Sequence, residues 1–95
     1  MGYSDAMELN DELQKSILTR LRRAEGQVRG VQSMIEDGRD CAEVVAQFAA
    51  AIRAVEQAGY KYFAATLKEC AVHPDEAAAS GYTTDRLEKL FMQLA

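Results

Sequence analysis

Two long stretches of this chain repeat apolar residues at every third or fourth position, and one short break separates them. Leu13, Ile17, Leu21, Ala24, Val28, Val31 and Ile35 recur at intervals of 3 and 4, the period of one helix face with a partly heptad character. Val45, Phe48, Ile52, Val55, Gly59, Tyr62, Thr66 and Cys70 continue at the same intervals as a second seam. Between them lies Gly38-Arg39-Asp40. Glycine takes the left-handed conformation that ends a helix, and aspartate is a strong N-cap. Asp40-Cys41-Ala42-Glu43 fits a capping box with Asp in place of Ser or Thr. The pattern predicts a first helix from about residue 8 to 37 and a second from Cys41 to about His73. Pro74 with Asp75 and Glu76 opens a loop or a loose helical turn. A short third helix follows, with Thr84 as its N-cap and Leu87, Leu90, Phe91 and Leu94 as its apolar face.

The expected fold is therefore all-α, one domain over residues 1–95, with three helices per subunit, the first two forming a long antiparallel hairpin. Residues 1–8 read as a flexible polar tail. A chain of 95 residues that is 48% apolar is unlike a disordered segment, yet two long helices in so short a chain leave apolar faces uncovered, which points to oligomerisation. No run approaches the ~20 apolar residues of a membrane span, so no membrane contact is expected. Met1-Gly2-Tyr3-Ser4-Asp5 lacks a basic region followed by an apolar stretch, so it does not read as a signal peptide and a cytoplasmic location is expected. There, two cysteines are more often reduced, reactive or metal-binding than joined in a structural disulfide.

Cys41 and Cys70 lie 29 residues apart on the second predicted helix. At 100° per residue they return to nearly the same face, but about 43 Å apart along the axis. A disulfide needs Cα atoms within about 7 Å, so one straight helix cannot bring the two thiols together. A two-fold dimer with antiparallel second helices can, because it sets Cys41 of one subunit beside Cys70 of the other, twice. That dimer is a four-helix bundle. Cys41 opens its helix, where free N–H groups favour a thiolate, although Asp40 and Glu43 oppose it. Cys70 sits near a helix C-terminus after Lys68 and Glu69, which disfavours a thiolate. Cys41 reads as the attacking thiol and Cys70 as the resolving one. The alternative, two small hydrophobes in a packed seam, stays open on spacing alone.

The net charge is −4, but it is unevenly spread. Residues 13–35 hold Lys15, Arg20, Arg22, Arg23 and Arg29 against Glu25 alone, while the other six cations share the chain with fourteen carboxylates. Such a local field suits phosphate contacts; a solvated helix face is the plainer alternative. Arg20, Arg23 and Gln27 lie beside the apolar stripe, and Lys15, Arg22 and Arg29, spaced by sevens, lie further round. His73 reads as a polar residue ending its helix before Pro74, and Tyr60, Tyr62 and Phe63 as packing. No triad, phosphate-cradling loop or paired-carboxylate site is visible, and no enzyme and no cofactor are expected.

The segment Arg20-Leu21-Arg22-Arg23-Ala24-Glu25-Gly26-Gln27-Val28-Arg29-Gly30 closely resembles the first-helix signature of the CsoR/RcnR/FrmR repressors. Met34 to Cys41 and Val45-Ala46-Gln47-Phe48-Ala49-Ala50 continue the resemblance, which covers roughly residues 13 to 94. It implies an all-α fold without a helix-turn-helix, a homotetramer built as a dimer of dimers, and repression of a nearby operon until an inducer releases the operator DNA. Lys15, Arg20, Arg22, Arg23, Gln27 and Arg29 are then the DNA-binding candidates.

Copper sensors of that family carry a Cys, a His 25 residues later and a Cys four further on; here the histidine position holds Thr66. Threonine is a poor ligand for a soft ion such as Cu(I). Nickel and cobalt sensors need several histidines, and His73 is the only one here. A cysteine pair without the histidine is similar to the CstR branch, which senses persulfides and polysulfides. That likeness implies a redox switch in which Cys41 and Cys70 of the partner subunit close a disulfide or longer sulfur bridge, with no metal bound. The alternative is a Cu(I)-sensing repressor holding the ion with Cys41 and Cys70 alone. From another class comes a sulfur carrier or small thiol enzyme on the same scaffold, which needs a cleft beside Cys41 that nothing in the sequence marks.

Overall fold

The computed structural model describes residues 10–95, which form four helices: α1 (Asp11–Glu36), α2 (Cys41–Val72), α3 (Pro74–Ala79) and α4 (Thr84–Leu94). The class is all-helical as expected. The tail expected over residues 1–8 and the expected helix start at residue 8 lie outside the described residues. Asn10 caps α1, its Oδ1 accepting the Leu13 N–H at 2.9 Å.

Gly38 ends α1 as its position demands. Its φ is +69°, the Gly38 N–H donates to the Ile35 carbonyl at 3.1 Å and the Arg39 N–H reaches the Met34 carbonyl at 2.9 Å. This is the paired closure of a Schellman motif, which only a residue at ease in the left-handed region completes without strain.

The helix count corrects the expectation of three. Pro74 begins α3 instead of opening a loop, because a proline at the first helical position loses no hydrogen bond and brings the right φ. Asp75 and Glu76 then place negative charge in the first turn, and Ala77-Ala78-Ala79 propagates it. The cap of α4 also moves by one residue. Thr83, extended at φ −76° and ψ 167°, accepts the Arg86 N–H, so Thr84 is the first helical residue and not the cap.

The described chain divides into two compact units, one of Lys15–Ala58, the other of Gly59–Ala95 with the start of α1 up to Gln14. In the first, Ile17, Ala24 and Val31 of α1 are buried, and so are Ala51 and Ala58 of α2. Gly30 of α1 faces the Gln47 side chain of α2: a Cβ there would stand 3.4 Å from the Gln47 amide nitrogen. In the second unit Thr66, Cys70 and Ala77 are buried. There Leu94 of α4 lies against Gly59, and Phe91 meets Phe63 with ring centroids 6.0 Å apart.

The seam expected on α2 is thus only partly the buried one. Thr66 and Cys70 are covered, but Val45, Phe48, Ile52, Val55 and Tyr62 are exposed. Alanines carry the contact with α1, so the larger apolar residues face outward. No described helix is long and apolar enough to cross a membrane.

Two glycines should respond in opposite directions. Gly38→Ala forces a Cβ into the left-handed region and should destabilise the fold by about 1 kcal/mol. Gly26→Ala, where the new Cβ meets nothing nearer than the Arg29 guanidinium at 3.8 Å, should stabilise it by up to about 1 kcal/mol. Thermal unfolding of both variants beside the parent chain checks the pair.

Candidate functional site

Cys41 is the first residue of α2 and is exposed. Its helix end is organised by Asp40, whose Oδ2 accepts the Ala42 N–H at 3.1 Å. Glu43 does not complete the expected capping box. Its Oε1 instead takes the Arg39 guanidinium, with Nη2 at 2.6 Å and Nε at 2.8 Å. Arg39 therefore offsets one of the two carboxylates that flank Cys41, and leaves the helix-end N–H groups a larger share of the local field.

Cys70, two residues before the end of α2, is buried. Burial pushes its thiol above the usual range, and the neighbouring Glu69 carboxylate adds to the rise. The two cysteines thus occupy different environments on one helix: Cys41 is open to reagents, and Cys70 is enclosed, its thiol raised by burial and Glu69.

One turn before Cys70 sits Thr66, 4% exposed, with an Oγ1 that has no hydrogen-bond partner among the described residues. One turn beyond, the His73 imidazole lies between two carboxylates, Nε2 at 3.8 Å from Glu69 and Nδ1 at 3.5 Å from Glu76. It links the end of α2 to α3 through exposed contacts of small energetic weight. Sequence spacing marked Cys41, Thr66 and Cys70; it did not show Glu69 and Glu76 on either side of His73, although the i, i+4 and i, i+3 intervals carry that signal. Among the described residues no cluster of three or more His, Cys, Asp or Glu side chains within one chain could hold a metal ion.

The cations of α1 are displayed as expected. Lys15, Arg22, Arg23 and Arg29 are exposed and Arg20 is half-buried. Arg29 pairs with Glu25 at 3.8 Å, with both side chains about two-thirds exposed, an ion pair that a phosphate readily displaces. Gln27 stands apart from them. It is part-buried, its side-chain Oε1 is enclosed without a partner among the described residues, and its backbone carbonyl accepts the Gln47 side-chain amide at 3.4 Å.

Within the Lys15–Ala58 unit an open apolar groove of about 520 Å³ runs between α1 and α2, lined among others by Val28, Ile35, Phe48, Ile52 and Val55. Those five side chains are between 42% and 57% exposed. The sequence pattern placed them in seams and pointed to uncovered apolar faces, but did not show that these five side chains are among the uncovered ones.

The comparisons agree on a family. A family model described as metal-sensitive transcriptional repressor matches residues 13–93. The copper-sensing transcriptional repressor CsoR of Bacillus subtilis (strain 168) is 50% identical over 34 residues, 36% of this chain and 34% of that protein. The matched stretch thus spans about a third of that relative's length. The crystal structure of the copper-sensing repressor CsoR with Cu(I) from Geobacillus thermodenitrificans NG80-2 superposes with a TM-score of 0.80 at 28% identity, covering 98% of this chain and 97% of that one.

The contrast between the thiols has a direct check. With iodoacetamide at neutral pH, Cys41 of the native protein should be alkylated at least about tenfold faster than Cys70, since Cys41 is exposed while Cys70 is buried with its thiol raised. Glu69→Gln should raise the Cys70 rate by removing the adjacent negative charge. Peptide mass spectrometry over time measures both, and equal rates in the parent protein would contradict the assignment.

Proposed function

The chain belongs to the metal-sensitive transcriptional repressor family, and from that premise we propose that it binds operator DNA and releases it when a thiol-seeking inducer joins Cys41 of one subunit to Cys70 of another. The observation that carries this reading is the placement of the two cysteines at opposite ends of the unbroken helix α2. An antiparallel pair of such helices sets each Cys41 beside a Cys70 of the partner. The groove along Val28, Ile35, Phe48, Ile52 and Val55 supports the same pairing. A second copy would cover it and complete a four-helix bundle, and two such dimers would form the tetramer. The DNA surface is assigned to Lys15, Arg20, Arg22, Arg23 and Arg29, with Gln27 as a supporting residue between α1 and α2 and not a direct contact.

Cu(I) is the inducer that the comparisons support, because the two named relatives are copper-sensing repressors. The donor set fits in part. Two thiolates are soft ligands suited to Cu(I), whereas the Thr66 hydroxyl is not a ligand for it. Cys41 and Cys70 would hold the ion, and when bound it would join two subunits that are otherwise connected by packing alone. Cys41 is the open point of capture, and Cys70 supplies the enclosed second sulfur.

A second reading is favoured by Thr66, which leaves the pair without an imidazole. In it the Cys41 thiolate attacks a sulfane sulfur of a polysulfide, forming a Cys41 persulfide and expelling the shortened polysulfide anion. The Cys70 thiolate of the partner then attacks the Cys41 sulfur, closes an S–S bond and releases hydrosulfide. Two thiols lose two electrons and the sulfane sulfur gains them.

The test is binding to a labelled DNA fragment from upstream of the protein's own coding sequence. Cu(I) added without oxygen should release the DNA at about one ion per subunit, with no mass added to either cysteine. Release by tetrasulfide with closure of a Cys41–Cys70 disulfide between subunits, and none by Cu(I), would transfer the assignment to the second reading. Arg20→Ala should weaken binding while leaving the assembly intact, and the slope of log affinity against log salt should fall by about 1 for each phosphate that Arg20 no longer neutralises. Unchanged affinity would remove Arg20 from the DNA surface.

A further inference from the structure

We propose that Thr66 is a positioning residue of the thiol site, whose buried hydroxyl donates a hydrogen bond to a negatively charged sulfur at Cys70 once the inducer is in place. The inference rests on the reading that Cys70 takes part in inducer capture, and adds which group of this chain recognises the loaded sulfur. Thr66 and Cys70 are 4% and 6% exposed. Four residues apart on α2, they occupy consecutive turns of one helix face, with Cβ atoms about 5–6 Å apart. Helical side chains lean back over the preceding turn, which directs the Cys70 sulfur towards Thr66.

A helical threonine ordinarily satisfies its hydroxyl on the carbonyl four residues back. Thr19 does so in this chain, its Oγ1 donating to the Lys15 carbonyl at 2.9 Å. The Thr66 Oγ1 has no such partner among the described residues, although it is enclosed. An enclosed hydroxyl without a partner destabilises the empty protein, and valine has the same shape without that penalty. A purely structural slot here suits valine better than threonine.

Because Cys70 is enclosed, a charged sulfur there depends on a local hydrogen-bond donor. Thr66 lines a mostly apolar groove of about 420 Å³ with Tyr62, Phe63, Tyr82, Leu90 and Leu94. A neutral thiol is a weak acceptor. A Cys70 thiolate bound to a metal, or poised to attack the persulfide on the partner's Cys41, carries negative charge, and a hydrogen bond to an ionised acceptor is roughly twice as strong as a neutral one, more so where water is scarce. The bond therefore forms in the loaded state and not in the empty one, and so favours loading. The shared chemistry is a negatively charged sulfur, whether it comes from Cu(I) or from a polysulfide.

Two readouts on wild type, Thr66→Val and Thr66→Ser test this. Thermal unfolding of the inducer-free protein should place Thr66→Val level with wild type or a few degrees above it. Loading is measured by Cu(I) titration against a competing chelator without oxygen, and by the rate at which sodium tetrasulfide closes the Cys41–Cys70 disulfide between subunits. Thr66→Val should lose about tenfold or more on whichever probe wild type captures, while Thr66→Ser, which keeps the hydroxyl, should stay within about threefold of wild type. Equal loading by Thr66→Val and wild type would overturn the assignment, as would a valine variant that unfolds several degrees lower. A wild-type protein that captures neither probe removes the reading of Cys70 on which the inference stands, and the inference with it.

Discussion

The small residues of α2 go to α1, and the large ones are left without cover. Ala51 and Ala58 are buried in the Lys15–Ala58 unit together with Ile17, Ala24 and Val31, while Val45, Phe48, Ile52 and Val55 remain about half exposed. Apolar surface is worth roughly 25 cal/mol per Å² when removed from water, and a patch of adjoining large side chains of this kind marks an interaction surface. A second copy laid along that face would bury it. The same apposition would bring the first residue of one α2 to the end of the other, which is the condition for Cys41 and Cys70 to react with one agent. In the proposed dimer, assembly and inducer capture would depend on one division of side chains between two faces of one helix.

The two thiols differ in ways that suit a sensor. Cys41 lies open at a helix N-terminus with Arg39 offsetting Glu43 beside it. Cys70 is enclosed, its thiol raised by burial and by Glu69. An agent that reaches Cys41 first is then drawn to a sulfur that resists casual oxidation. The basic strip from Lys15 to Arg29 sits on the other long helix, in a chain whose net charge is −4. A repressor that is acidic overall gains little non-specific attraction to nucleic acid, so its contacts concentrate where the cations do.

Much of this was legible in the sequence because helix ends and apolar periods are local. Gly38 as a left-handed stop, Asp40 as a cap and the start of α2 at Cys41 follow from residue chemistry alone. The partition of the α2 seam was not legible. Alanine is nearly neutral in an apolar pattern, so Ala51 and Ala58 did not stand out against Phe48 and Ile52, although they make the closer contact. Pro74 was ambiguous for a related reason, since it ends one helix and begins the next and only the alanines after it decide between loop and helix. The cations of α1 showed in composition and spacing, but the bond that the Gln47 amide donates to the Gln27 carbonyl, twenty residues away, is a pairing that no local pattern encodes. Thr66 was visible as a departure from a copper-sensor motif; that its hydroxyl is enclosed without a partner required the folded chain.

The central claim is that the inducer site is shared between subunits, and mixing subunits tests it most directly. Cys41→Ala and Cys70→Ala proteins should each, when alone, fail to bind Cu(I) tightly and fail to close an intersubunit disulfide with tetrasulfide, the Cys70→Ala protein stopping at a Cys41 persulfide. Unfolded together and refolded as a mixture, they should regain capture, because a mixed dimer holds one intact pair: Cys41 from the Cys70→Ala subunit and Cys70 from the Cys41→Ala subunit. Random pairing makes about half of the dimers mixed, each with one of its two sites, so about a quarter of the wild-type capacity is expected. A mixture that captures no more than its separate components would contradict a shared site, as would full capture by either variant alone.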